Sequence, residues 1–161
     1  MPGKSARVRV PLGWAAFEER EADMKSARQM IHLLTSEKEQ ILNITRQVSD
    51  VVLKSGIREG LALVYPMHTS SAVYVSDSDT GLTQDLRDIL ATLVPEGRAF
   101  RHDLTDPKKN AAAHLKSCLT GHHVVLPVTT GRLDLGMYHT IYYADFDGKR
   151  EKEVLVKIIG D

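Results

Sequence analysis

The sequence predicts an α+β domain of antiparallel strands, and three observations carry that prediction. Apolar runs of strand length open and close the chain, with helical segments inserted between them rather than alternating with single strands. The closing region alternates apolar and other residues on both sides of Asp147-Gly148, the pattern of a tight antiparallel hairpin. The length of 161 residues fits one domain with a sizeable core.

Each element has a local reason. RQMIHLLT and KEQILNI are short apolar-rich runs separated by Ser36-Glu37, which predicts a first hairpin. In TRQVSDVVLKSG, Val48, Val51 and Val52 share a helical face, and Gly56 can close the helix in a left-handed conformation. LALVYPM and AVYVSD follow as strands. DTGLTQDLRDILATLVP carries a stripe of Leu82, Leu86, Ile89, Leu90 and Leu93, with Asp79 or Thr80 as its cap and Pro95 as its stop. EGRAFRHDLTDPKKN is polar and rich in turn formers, so it is a loop. NAAAHLKSCLTG is a short helix from Asn110 to about Gly121, and HVVLPVT is a strand. Leu133, Leu135, Met137, His139, Ile141 and Tyr143 alternate along one long strand, and Val154, Val156 and Ile158 mark the return strand.

Residues 1–26 differ in composition from 27–161, which form the predicted domain. The first part reads as a flexible extension; WAAFEEREADMKSA is a short helix with Trp14 and Phe17 on one face. That face is either solvated or docks on a neighbouring subunit.

Bulk composition excludes several function classes. Lys+Arg and Asp+Glu both number 21, so nothing drives nonspecific nucleic-acid binding and no nucleic-acid partner is expected. The single cysteine, Cys118, permits neither an internal disulfide nor a Cys-rich zinc site, which fits a reduced, cytoplasmic setting. No run of about 18 apolar residues is present, so no membrane partner is expected. MPGKSARVRVPLGW lacks the apolar core of a signal peptide.

Seven histidines are the main source of chemistry. His32 lies in an early strand and reads as structural; His122 and His123 open a strand and read as solvated. His68 follows a strand, His102 sits in a polar loop beside Asp103, and His114 lies on a short helix. Three neutral imidazoles suit Zn²⁺ with a position left open, and Asp103 can orient one of them. The bland alternative is three unrelated polar histidines, because no HExxH or other local ligand pair is present. Asp77, Asp79, Asp85 and Asp88 are explained by capping and solvation. Ser70 and Ser71 lie near His68 without a GxSxG elbow. Cys118, beside Leu115 and Leu119, reads as a small buried residue. No Walker A or GxGxxG loop is present; TGRLDLG and FDGKR read as turns.

The ordered segments HTSS, RHD, NAAAHLKS, G-x5-PV-x2-GRLDLG and FDGKR resemble the YjbQ family, also called UPF0047 or the "secondary thiamine-phosphate synthase" family. The resemblance runs from about residue 28 to the end. It implies a compact antiparallel β sandwich with helices packed on it, assembled as a homotrimer, with a histidine-lined pocket near the subunit contacts and an associated metal. Carried over by position, it implies His68, His102 and His114 as ligands of a divalent metal, Zn²⁺ by ligand type. Asp103 supports them and is a candidate catalytic residue. Thr69, Ser70, Asn110 and Arg150 are implied to contact a small, phosphorylated ligand. Three departures stand out: Ser76-Asp77 replaces Asn-Glu, Tyr138-His139 replaces Trp-Gln, and Lys149 replaces Pro. His139 becomes either an extra ligand or catalytic base, or a residue turned into a repacked core in phase with Leu135 and Ile141. Two functions follow: a metal-dependent enzyme with weak thiamine-phosphate synthase-type transferase activity, or a trimeric protein that binds a metabolite or metal without turnover.

Overall fold

The computed structural model describes residues 23–161. The helix expected around Trp14 and Phe17 therefore lies outside the described residues. Among the described residues, eight strands form two antiparallel sheets. Five strands make the first sheet: β1 (Lys25–Leu34), β8 (Glu151–Gly160), β3 (Gly60–Pro66), β5 (Val124–Thr129) and β6 (Arg132–Leu133), in that spatial order. β2 (Gln40–Asn43), β7 (Thr140–Asp145) and β4 (Ser71–Ser76) make the second. The main core lies between them. Val64, Leu126, Val154, Val156 and Ile158 of the first sheet meet Val73, Ile141 and Tyr143 of the second.

Three α-helices are present among the described residues. α1 (Thr45–Ser55) plugs the sandwich with Val48 and Val52, and Gly56 closes it at φ 69° as its lack of a Cβ allows. α2 (Thr80–Leu93) starts at Asp79, whose carboxylate accepts the Leu82 N–H at 2.6 Å. α3 (Ala111–Thr120) runs between Asn110 and Gly121. α2 and α3 cover the outer face of the second sheet, where Leu90, Ala113, Ala72, Ala144 and Phe146 form a second cluster. The expected helix-covered antiparallel sandwich is therefore present.

Five local expectations are corrected. β1 and β2 do not form a hairpin: β1 pairs with β8 and β2 with β7, in different sheets. The long strand from Leu133 to Tyr143 is broken. β6 ends at Leu133, and Leu135, Met137 and His139 lie in the connection before β7. β7 is buried at every position because one face meets the core and the other meets the helices, so alternation does not mark its edges.

The Asp147-Gly148 segment is likewise no hairpin, since β7 and β8 belong to different sheets. Its left-handed residue is Lys149, at φ 63°. A proline is held near φ −65°, so this conformation is open to Lys149 and closed to proline. Gly148 is required for close approach: a Cβ there would run into the Glu37 carbonyl oxygen and lie 3.0 Å from Thr35 Oγ1.

Finally, α3 is rotated from the expected orientation. Cys118, Leu115 and Leu119 are exposed, whereas Lys116 and Ser117 are buried. Partners explain this: Ser117 Oγ donates to the Ser71 carbonyl at 2.7 Å, and the Lys116 ammonium pairs with Glu39. The apolar stripe of α2 is similarly underused, with Leu90 buried and Leu82, Ile89 and Leu93 exposed.

Candidate functional site

The site forms at a corner where the chain crosses twice between the sheets. β3 ends at Pro66, and His68 to Ser71 make a turn closed by the Ser71 N–H on the His68 carbonyl at 3.1 Å. β4 then starts in the other sheet. The return crossing, Phe146 to Arg150, lies alongside: the Phe146 N–H donates to the Ser70 carbonyl at 3.0 Å, and the Met67 N–H to the Glu153 carbonyl at 2.9 Å. The start of α3 closes the third side. One cleft of about 400 Å³ is lined by His68, Thr69, Ser70, Asn110, His114 and Arg150, together with Asp106 and Lys108.

Below the corner, Lys152 Nζ lies 3.0 Å from Asp145 Oδ1, with both side chains fully buried. Thr35 Oγ1 donates to Asp145 Oδ2 at 2.9 Å. The same ammonium donates to the Asp147 carbonyl at 2.8 Å, and the Asp147 N–H donates to Asp145 Oδ1 at 3.2 Å. Asp147 is thereby held from beneath. Its Oδ2 accepts Asn110 Nδ2 at 3.0 Å and Arg150 Nη2 at 2.6 Å, which sets both side chains at the cleft wall. Burial alone would raise the Asp147 carboxyl. The Asn110 hydrogen bond and the Arg150 and Lys152 cations outweigh it, and its pKa falls below the usual value.

His68 is held by the Glu153 backbone N–H, which donates to Nε2 at 3.3 Å. Burial, then the Lys152 and Arg150 charges, lower its pKa from 6.5 and favour the neutral ring. A neutral ring that accepts at Nε2 carries its proton on Nδ1, so His68 offers a hydrogen-bond donor in this arrangement.

The polar loop contains a short 3₁₀ turn (His102–Leu104) that the sequence reading did not include. It brings His102 Nε2 to 3.0 Å from Asp106 Oδ2. The His114 ring meets the His102 ring edge-on, with centroids 5.2 Å apart. Ligand atoms of His102, Asp106 and His114 lie within 4.8 Å of one another. Two imidazoles and a carboxylate are donor types that a divalent cation of zinc type takes; its tetrahedral ligands stand roughly 3.3 Å apart at bond lengths near 2.0–2.1 Å, so these side chains would have to draw in to hold one. The sequence reading missed Asp106, although its i,i+4 spacing from His102 in HDLTD was visible.

Asp103 and His139 lie elsewhere. Asp103 Oδ1 accepts the Ala111 N–H at 3.1 Å, a helix-capping contact. Exposed His139 closes a local turn, its Nδ1 accepting the Gly136 N–H at 3.1 Å. It precedes the β7 end where Thr140 pairs with Ser76; the cleft borders the other end, where Asp145 pairs with Ser71. At about 3.4 Å per residue these ends are roughly 17 Å apart. Ser76, Tyr138 and His139 thus gather at the far end of the second sheet within one chain.

A family model described as "UPF0047 protein YjbQ-like" matches residues 29–161. A UPF0047 protein of Archaeoglobus fulgidus is 40% identical over 127 residues, covering 79% of this chain and 97% of that protein. The UPF0047 protein YugU of Bacillus subtilis is 30% identical over 132 residues, covering 81% and 97%. Among solved structures, a YbjQ-like protein of unknown function from Sulfolobus solfataricus superposes with a TM-score of 0.81 at 31% identity, covering 86% of this chain and 99% of that one. A hypothetical protein from Aeropyrum pernix gives 0.78 at 32% identity, covering 84% and 99%.

Proposed function

The chain belongs to the UPF0047 YjbQ-like family, and from that premise we propose that its corner cleft is the metal-assisted catalytic site of an enzyme acting on a small phosphorylated molecule. The observation that carries the reading is the His102, Asp106 and His114 cluster opening onto a cleft that also presents Arg150, Lys108 and His68. His102, Asp106 and His114 would hold the cation, with His68 beside it rather than bound to it. When bound, a divalent cation supplies Lewis acidity toward a phosphate oxygen. Arg150 offers a planar two-point grip to the phosphate and Lys108 a point charge. His68 Nδ1–H donates to an oxygen that gains charge, and Thr69 and Asn110 orient the ligand. The thiamine-phosphate transferase reaction belongs to this reading as a weak activity, because expelling pyrophosphate needs support for two phosphates and one cationic wall is present here.

A non-catalytic metabolite-binding role is the alternative. Turnover separates the two: zinc-loaded protein that binds phosphate but converts no phosphorylated thiamine precursor or other phosphate ester supports the binding role. Homotrimer assembly belongs to the same proposal. Its support is the outer face of the first sheet, where Leu61, Val125 and Ile159 are exposed beside one another.

The cation site is tested by zinc stoichiometry in tag-free protein. Asp106→Asn and His114→Ala should each lose most of the bound zinc, while His68→Ala retains it. Equal loss in all three variants would restore His68 as a ligand; full retention in all three would sink the metal-assisted reading.

A further inference from the structure

The cleft has a second chamber. It measures about 580 Å³ and is lined by Phe100, Ala111 and Leu115, with Arg101, His102 and the shared residues Thr69 and His114. Thr69 and His114 also line the polar chamber, which holds Arg150, Lys108 and His68. His102 faces the apolar chamber, Asp106 the polar one, and His114 both. The His102, Asp106 and His114 cluster therefore stands at the seam between two chambers of opposite character.

We infer that the site takes an anionic ligand carrying an apolar body. Its phosphate or carboxylate lodges with Arg150, Lys108 and His68, and its apolar group, flat enough to lie on Phe100, fills the chamber beside Leu115. The bond that joins them then lies at the His/Asp cluster. This rests on the reading of the polar chamber as an anion site. It goes beyond that reading because it sets a class of substrate. Phe100, Ala111 and Leu115 offer no side-chain donor or acceptor, so ring nitrogens or amino groups placed against them would lose water without replacement. An aryl or alkyl body loses nothing there and hides apolar surface that is otherwise wet. Leu115, 42% exposed on the first turns of α3, is covered in such a complex. The wall made by Phe100, Ala111 and Leu115 thus disfavours a polar heterocycle and favours a phenyl-sized hydrocarbon.

The test is calorimetric titration of the full chain with inorganic phosphate, methyl phosphate and benzyl phosphate, each with and without Zn²⁺. Benzyl phosphate should bind at least tenfold more tightly than methyl phosphate. The ratio should fall toward one in Phe100→Ala and in Leu115→Ser, the second being a surface change that leaves the fold intact. Arg150→Gln should weaken both esters by a similar factor. Equal affinity of the two esters in the parent chain, or a benzyl preference that survives both chamber variants, overturns the inference. A benzyl preference without zinc binding sinks the metal-assisted reading and leaves this one standing. Zinc and phosphate binding without a preference does the reverse. Failure of all three phosphates to bind overturns both.

Discussion

Lys152→Met is the sharpest probe of how the site is supported. The substitution removes the ammonium from a position of zero side-chain exposure and keeps a long, unbranched apolar chain in its place. At 3.0 Å from Asp145 Oδ1, the lost attraction is about 5.5 kcal/mol for an effective dielectric of roughly 20. Breaking one half of a buried pair costs about 3–5 kcal/mol in practice. Asp145 keeps the Thr35 hydroxyl and the Asp147 N–H, so the lower half of that range is expected. For a chain of this length, that lowers the melting temperature by roughly 10 °C. Urea denaturation at fixed protomer concentration measures the loss directly. Adding Asp145→Asn removes the stranded charge, so the double variant should lose less than the sum of the single variants. A loss below about 1 kcal/mol for Lys152→Met, or strict additivity, would refute the argument that this pair anchors the corner.

Two further outcomes are expected. Gly148→Ala drives a methyl group into the Glu37 carbonyl and toward Thr35 Oγ1, and should cost about 1–3 kcal/mol in the same denaturation assay; a change within about 0.5 kcal/mol would show that the turn relaxes freely. The folded pKa of His68 lies below 6.5, so the unfolded chain binds more protons between the two values. Its contribution to stability is complete above about pH 6.5 and is lost as pH falls through the folded pKa. An NMR titration of the ring should show that lowered midpoint, and Arg150→Gln should move it upward; a midpoint at or above 6.5 in the parent chain contradicts the burial and charge argument.

The sequence by itself determined most of the local structure. Asp79 and Gly56 act at their helix ends through backbone groups a few residues away, and α3 begins after Asn110 because its apolar period starts there. Local hydrogen bonds and side-chain period need no distant partner, which is why they are legible in one dimension. The ordered motifs also identified most of the cleft. His68, Thr69, Ser70, Asn110, His114 and Arg150 do line one cavity.

Tertiary structure alone decided the rest. Strand pairing depends on which sheet a strand enters, and two crossovers between sheets look like hairpins when read along the chain. The inward rotation of Lys116 and Ser117 depends on Glu39 and the Ser71 carbonyl, both far off in sequence. Asp103 and Asp106 are close neighbours with opposite fates: one caps α3 and the other meets His102. His139 alternates in phase with core residues, yet the strand it was assigned to begins one residue later. Each of these outcomes was set by a partner from another part of the chain, and a side chain's partners, more than its type, determine what it does.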